Sequence, residues 1–249
     1  MIKSISKTIK NSKTFIKPNE DYYINDNYNN IYVLTDGVSR DKENGLYPVN
    51  SPSQKVSVIF SNYVHNFLLK NIQKYDDKEN LLYETMVKGN EEISKFNINY
   101  LGDFLPGTVG IIAIIYNNIF YYSYIGDCFG LAITNTKKHL FTKCQTELVH
   151  KHIKEFSAFE IRNIICNNIN HPYSYGVFNG DIRAKDFIIT GKLSLDNIKT
   201  ILLYSDGFEN FIKTKTIKEL ISLNVEKLDF NTNYFCDDDK TIIKIAIKE

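Results

Sequence analysis

Short apolar runs rich in β-branched and aromatic residues recur along this chain, and most of them stop at an acidic residue. Ile31-Tyr32-Val33-Leu34-Thr35 runs into Asp36-Gly37, and residues 119–125 run into Gly126-Asp127. Residues 200–204 run into Ser205-Asp206-Gly207, whereas Asp237-Asp238-Asp239 precedes the last run, 241–247. A fifth motif, Asn19-Glu20-Asp21, follows Pro18. Runs of this length and composition read as strands. Packed together, they would bring several carboxylates to one edge of a core. Crowded carboxylates repel one another, and hard cations relieve that repulsion.

Between the β-rich groups the period changes. Val56, Ile59, Phe60, Tyr63, Val64, Phe67 and Leu68 fall on one helical face, with Pro52 near the start. Leu81, Leu82, Thr85, Met86, Ile93 and Phe96 mark a second helix that ends near Asn99 or Gly102. Residues 109–116 and 119–125 flank Asn117-Asn118, a hairpin signal. Strands are also expected at 4–10, within 21–35 with a turn at Asn29-Asn30, at 130–134 and 139–142, at 175–178 and at 198–204. Residues 146–168 and 209–222 read as helical, and 171–185 as loop with the short strand inside it. Strands at both ends with two long helices between strand groups suggest an α+β layered sandwich in a single domain, 1–249, rather than a doubly wound sheet.

Composition excludes several classes. Lys and Arg number 30 against 29 Asp and Glu, and no basic run interleaves with aromatics, so nucleic acid is not the expected partner. No apolar run reaches the ~18 residues of a membrane span, and the N-terminus lacks the apolar stretch of a signal peptide. A soluble cytoplasmic protein without membrane contact, acting as a monomer, is expected. Cys128, Cys144, Cys166 and Cys236 are too scattered for a disulfide framework and read as buried free thiols. His65, His139, His150, His152 and His171 show no ligand spacing and read as surface or packing residues.

Each acidic motif also has an ordinary reading. Asp36-Gly37 is a common turn pair, Ser205-Asp206-Gly207 suits a helix cap, and the Asp triplet suits a solvated loop. Their joint placement at strand ends favours a metal site. Mg²⁺ and Mn²⁺ prefer octahedral oxygen donors, and two such ions bridged by a carboxylate acidify a shared water for in-line attack on phosphorus. A calcium loop of EF-hand type fails, because residues 26–30 lack the required glycine and distal glutamate.

The ordered set Asn19-Glu20-Asp21, Asp36-Gly37, Gly107-Thr108, Gly126-Asp127, Ser205-Asp206-Gly207 and Asp238-Asp239-x-Thr241 resembles the metal-dependent protein serine/threonine phosphatases of type 2C, bacterial type. The match runs in the family's order from Asn19 to Ile247. It implies a four-layer α-β-β-α sandwich, two antiparallel sheets flanked by helix pairs. It also implies a Mg²⁺- or Mn²⁺-dependent signalling hydrolase with two ions, and a third held more weakly, acting on phosphorylated protein. Asp36 would bridge the two ions and Gly37 offer its carbonyl. Glu20 would hold a metal-bound water or the second ion, and Asp21 would order waters beside it. Asp206 and Asp238 would complete the first ion's ligands, Asp127 would serve the third, and Gly107-Thr108 would be mainly structural. Asp36, Asp206 and Asp238 are the expected catalytic set.

The chain departs from the family where the phosphate is gripped. The arginine that bacterial members carry four residues before the glutamate is Ile16 here, with Lys17 adjacent and Lys13 upstream. Lysine lacks the bidentate fork of arginine, so Lys17 and Arg40, in the stretch after Asp36-Gly37, are the expected substitutes for binding substrate. Gly126-Asp127-Cys128-Phe129 stands where the family has Gly-Asp-Ser-Arg, and Val38 where some members have histidine. Residues 147–185 lie where the family has a variable flap beside the active site. A catalytically weak or inactive regulatory module on the same fold is the competing expectation.

Overall fold

Strand-forming runs account for both faces of the core. The computed structural model describes residues 2–11, 18–38, 51–102, 104–228 and 238–247. One antiparallel sheet is built from β1 (Ile2–Ile9), β10 (Lys240–Ile247), β9 (Thr200–Tyr204), β6 (Phe129–Ile133) and β7 (Lys138–Leu140), in that order. The other is built from β2 (Tyr22–Asp26), β3 (Ile31–Gly37), β4 (Thr108–Tyr116), β5 (Ile119–Ile125) and β8 (Ile189–Ser194). β3, β4 and β9 are apolar almost throughout because both of their faces are covered.

The covering layers are helical. α1 (Pro52–Asn71) and α2 (Lys78–Asn97) lie on the second sheet, α1 turning Val56, Phe60, Val64 and Leu68 inward at four-residue spacing. Against the first sheet sit α5 (Glu209–Thr214) and α6 (Ile217–Ile221), where Phe208, Phe211, Ile212 and Leu220 meet Leu131, Leu202 and Ile242 in a separate apolar cluster. The expected sandwich of two antiparallel sheets with flanking helices is present.

Antiparallel pairing explains why the acidic motifs meet. In the second sheet Gly37 pairs with Thr108 and Gly110 with Ile125, so the end of β3, the start of β4 and the end of β5 share an edge. In the first sheet Tyr204 pairs with both Ile242 and Phe129, placing the end of β9 beside the starts of β10 and β6. Gly126-Asp127-Cys128 is the crossover between those two edges. Asn117 and Asn118 both take positive φ (50° and 61°) in the expected hairpin turn.

Three local readings are corrected. The single helix expected over 209–222 breaks at Lys215-Thr216, because Thr216 and Glu219 form a capping box that starts α6 anew. The helical reading of 146–168 resolves into α3 (Glu147–Lys151), a 3₁₀ turn at Ile153–Glu155, and α4 (Ala158–Glu160) continuing as a π turn over Ile161–Ile165. The strand expected at 175–178 is reduced to isolated bridges, Thr108 with Phe178 and Cys166 with Tyr175. β8 was not legible: it is an edge strand with little apolar alternation.

Candidate metal centre

The shared edge opens into a cleft of about 290 Å³ with Asp36, Asp127, Asp206 and Asp238 in its lining. Each comes from a different strand terminus or crossover. Asp21 is buried behind them, near enough to be among the charges acting on Asp36 and Asp206. Among the expected ligands, Glu20 sits apart from the lining. Its carboxylate accepts a hydrogen bond from the Ser51 hydroxyl at the N-cap of α1, and its backbone carbonyl accepts from Gly37 N–H at 3.2 Å. Arg40 and Lys17, the expected substrate-binding residues, lie outside the described residues, as do Lys13, Ile16, Asp237 and Cys236.

Backbone anchors hold the acidic residues in place. Thr108 Oγ1 donates to the Asp36 carbonyl at 2.8 Å and shares a 3.0 Å hydrogen bond with Ser57, so the Gly107-Thr108 motif fixes the backbone of Asp36. Asn19 Oδ1 accepts from Asp21 N–H at 3.0 Å, folding the Asn-Glu-Asp turn on itself. Thr146 Oγ1 donates to Asp127 at 2.8 Å. Ser205 does not cap the following turn with its side chain. Its hydroxyl instead donates to Asp21 Oδ2 at 2.8 Å and accepts from Thr241 N–H at 2.9 Å.

The two neighbouring aspartates of the last motif divide the work. Asp238 lines the cleft. Asp239 is buried and accepts from the backbone N–H groups of Asn11 (2.8 Å) and Glu20 (2.9 Å), tying the N-terminal crossover to the start of β10. The glycines after Asp36 and Asp206 are needed for close approach. A Cβ on Gly37 would stand 2.8 Å from Glu20 Cβ, and one on Gly207 would stand 2.1 Å from the Asp239 carbonyl oxygen.

The electrostatics of this edge are unfavourable without a counter-charge. Burial, followed by the charges of Asp21, Asp206, Asp238 and Asp127, holds Asp36 well above the usual carboxylate range. Burial, then Asp127, Asp238 and Asp21, pushes Asp206 up to about 8, and burial pushes Asp21 up to about 7 against the Ser205 hydrogen bond. Asp127 is raised by burial, opposed by Thr146 and His150. Asp21 Oδ1 and Asp206 Oδ1 are buried and accept no hydrogen bond from the described residues. Buried carboxylate oxygens left this way are expensive. Oxygen-only donors with unused lone pairs suit hard divalent ions that complete their shells with water. Among the described residues no three acidic, histidine or cysteine side chains form a ready-made cage, which is compatible with ions that keep several waters.

Two outcomes follow from this arrangement. The folded-state pKa values of Asp21 and Asp206 lie above the ordinary 3.8, so the folded metal-free protein holds more protons than the unfolded chain between about pH 4 and 8. Stability without metal is therefore full below about pH 4, as far as these groups are concerned, and declines as pH rises through 7 and 8. Calorimetry in chelator is expected to show Tm falling from pH 5.5 to 8.5, with saturating Mn²⁺ reversing most of the loss. A Tm that rises over that range in chelator would contradict the assignment. Separately, Ser205→Ala strands both the Asp21 carboxylate and the Thr241 N–H, and is expected to lower unfolding free energy by about 1–3 kcal/mol in denaturant titration.

The cleft also holds residues that spacing arguments did not find. His150 on α3, set aside above as a surface or packing residue, lines it, as do Tyr175 and Arg162. An apolar wall of Val149, Ile153, Ala158 and Ile161 faces the carboxylates. The one available signal was the rarity of arginine: the chain has three, at 40, 162 and 183. Cys128 and Cys166 are buried free thiols as expected, and Cys144 is half-buried.

No family model matches the chain, and no curated protein matches it. Solved structures share its fold end to end. The serine/threonine phosphatase PstP/Ppp of Mycobacterium tuberculosis aligns with a TM-score of 0.68 at 15% identity, over 100% of this chain and 99% of that one. Serine/threonine phosphatase Stp1 from Staphylococcus aureus gives 0.67 at 18%, over 100% and 96%. The catalytic domain of PstP in complex with two manganese ions gives 0.62 at 13%, over 100% and 99%. The fold is thus the one seen in bacterial metal-dependent serine/threonine phosphatases, and the resemblance carried by the acidic motifs is borne out at that level.

Proposed function

We propose that residues 1–249 form one phosphatase domain that hydrolyses phosphoserine or phosphothreonine in proteins, dependent on Mg²⁺ or Mn²⁺. The observation that carries this reading is the set of carboxylates from separate strand ends gathered in one cleft, with the buried Asp21 Oδ1 and Asp206 Oδ1 lacking a partner among the described residues. The two manganese ions in the PstP complex support it, since that protein shares this fold.

In this reading Asp36, Asp206, Asp238 and the Gly37 carbonyl are the groups that would hold the ions, and Asp127 would serve a third, weaker one. Glu20 would hold a metal-bound water or the second ion, and Asp21 would order waters beside it. When bound, the ions supply positive charge that offsets a phosphate dianion and makes water in the cleft more acidic. The residues do the rest. Thr108 holds the backbone of Asp36 at the sheet edge, which fixes where its carboxylate enters the cleft. The flap wall of Val149, Ile153 and Ile161 limits bulk water, and the open side of the cleft admits a phosphorylated side chain still attached to its polypeptide. One water is consumed, the P–O bond to serine or threonine breaks, and alcohol and inorganic phosphate leave. No phosphorylated residue of this chain is needed.

No helix among the described residues is long and apolar enough to cross a membrane. We infer a monomeric cytoplasmic protein with a phosphoprotein substrate and no nucleic-acid partner. The test is hydrolysis of an aryl phosphate and of phosphoserine and phosphothreonine peptides with Mn²⁺, Mg²⁺ or chelator. Turnover that needs the ion supports the enzyme. Mn²⁺ binding by calorimetry with no turnover on any of them would support the competing reading, a catalytically silent module.

A further inference from the structure

We propose that Asn97, the last residue of α2, is a positioning residue for the metal centre: its amide fixes where the backbone of Asp36 stands. The proposal rests on the reading of the cleft as a metal centre, and not on the reaction carried out there.

Two chain segments meet beside the acidic edge. Thr108, at the start of β4, exchanges two 2.9 Å backbone hydrogen bonds with Phe178. In an antiparallel ladder the next bonded pair outward would join Pro106 to Gly180, but proline has no N–H to contribute. Side chains of α2 stand in for the missing rungs. Buried Asn97 donates one N–H to the Pro106 carbonyl at 2.9 Å and the other to the Asn179 carbonyl at 2.7 Å. Asn90, about two turns earlier on the same helix face, donates to the Asp181 carbonyl at 2.8 Å and accepts from Gly180 N–H at 2.9 Å. Gly180 takes a φ of +88° against the helix between them, where a Cβ would stand 2.6 Å from Ser94 Cα. Only the nitrogen of an amide can face two carbonyls, and Asn97 Oδ1 finds no partner among the described residues. Asn97 therefore acts through its donors.

A short path of contacts leads from Asn97 to the centre. Gly107 lies between Pro106 and Thr108, and a Cβ on it would stand 2.6 Å from Val177 Cγ1 and 3.1 Å from the Phe178 carbonyl oxygen, so the two segments touch directly. The Gly107 carbonyl accepts from Val38 N–H at 3.0 Å, and Thr108 Oγ1 donates to the Asp36 carbonyl at 2.8 Å. Residues 107 and 108 thus hold the backbone on both sides of Gly37, and Asn97 holds the residue before them. On the facing segment, Asn167 clamps Val177, accepting from its N–H and donating to its carbonyl, both at 2.9 Å. Val177 itself lines the cleft. One amide therefore joins the outer helix layer, the strand that anchors Asp36 and the segment that walls the cleft. Metal donors need placing to within about 0.5 Å, and without the Asn97 amide nothing on α2 holds Pro106 to Asn179.

The test compares wild type with Asn97→Ala and Asn97→Ser, and with Leu68→Ala, a core truncation at the far end of α1, as a destabilised control. Mn²⁺ binding is measured by calorimetry, amide hydrogen exchange at Val38 and Phe178 in the metal-free protein, and hydrolysis of a phosphothreonine peptide at saturating Mn²⁺. Asn97→Ala is expected to weaken Mn²⁺ binding roughly 3- to 10-fold, and to lower kcat several-fold with KM little changed. Exchange at both amides is expected to quicken about tenfold. Asn97→Ser, with one donor in place of two, should fall between. Leu68→Ala is expected to lower Tm and keep the wild-type Mn²⁺ affinity. Should Asn97→Ala fail to fold, Asn97→Ser decides by the same readouts. Wild-type Mn²⁺ affinity in the Asn97 variants, whatever their Tm, would overturn the positioning role and leave the phosphatase reading intact. Equal weakening in Leu68→Ala would overturn it too, by showing a general loosening. Weakened Mn²⁺ binding in Asn97→Ala of a protein that hydrolyses nothing would keep the role and remove the enzyme. A wild type that binds no Mn²⁺ overturns both.

Discussion

Asp36→Asn is expected to abolish Mn²⁺-dependent hydrolysis, by roughly 10³-fold or more, which is about 4 kcal/mol of lost transition-state stabilisation. It is also expected to make the metal-free protein melt several degrees higher at pH 8. The two effects have one cause. Asp36 is the last residue but one of β3, and burial, followed by the charges of Asp21, Asp206, Asp238 and Asp127, disfavours its ionised form in the absence of cations. The unfolded chain carries Asp36 ionised at pH 8, so folding without metal works against that ionised form, and asparagine removes the opposition. The same substitution takes away the negative charge that would bridge the ions. Asp206→Asn should behave alike, since Asp206 is raised to about 8 by burial and the same neighbours. The measurements are an aryl-phosphate assay across a Mn²⁺ titration and thermal melts in chelator. Full activity in Asp36→Asn, or a metal-free Tm below wild type, would refute this account.

Gly207→Ala is expected to be the most damaging single-methyl change at the site. The added Cβ would stand 2.1 Å from the Asp239 carbonyl oxygen and 2.9 Å from Lys240 Cγ. A flexible side chain could move aside, but a backbone carbonyl at the start of a central strand cannot without separating β9 from β10. Overpacking of this kind costs about 3 kcal/mol or more, which in a chain of this size lowers Tm by roughly 6–12 °C. Because Asp206 and Asp238 sit on either side of that contact, Mn²⁺ affinity should fall at least about tenfold as well. Thermal melts and Mn²⁺ calorimetry check both parts. Wild-type stability and affinity in Gly207→Ala would show that the contact is looser than it stands here.

Much of the architecture was legible because it is local. Strand runs, the Asn117-Asn118 turn and the two amphipathic helices each depend on residues within a few positions of one another. The positions of Asp36, Asp127 and Asp206 were legible for the same reason: each is the punctuation at the end of its own apolar run. Two capping boxes, at Ser157 and Thr216, were equally local but were masked by the stronger expectation of continuous helices.

The roles of individual side chains were not local. Local chemistry does not tell Asp238 from Asp239, and only the resemblance to the phosphatases singled out Asp238; the fold turns Asp238 to the cleft and Asp239 to the backbone of Asn11 and Glu20, more than two hundred residues away in sequence. Ser205 reads as a helix cap and becomes the hydroxyl that holds Asp21. His150 and Arg162 carry no motif, and reach the site because Asn167 and Phe178 pin the flap to β4. By itself, then, the order of acidic residues at strand ends determined that carboxylates would collect at one edge of a sandwich, since strand termini in antiparallel sheets must share edges. Which of those carboxylates face the cleft, and which residues of the flap join them there, was decided by tertiary pairing. Side-chain direction at a strand end depends on the partner strand and on what lies beneath, and neither is encoded in the few residues on either side.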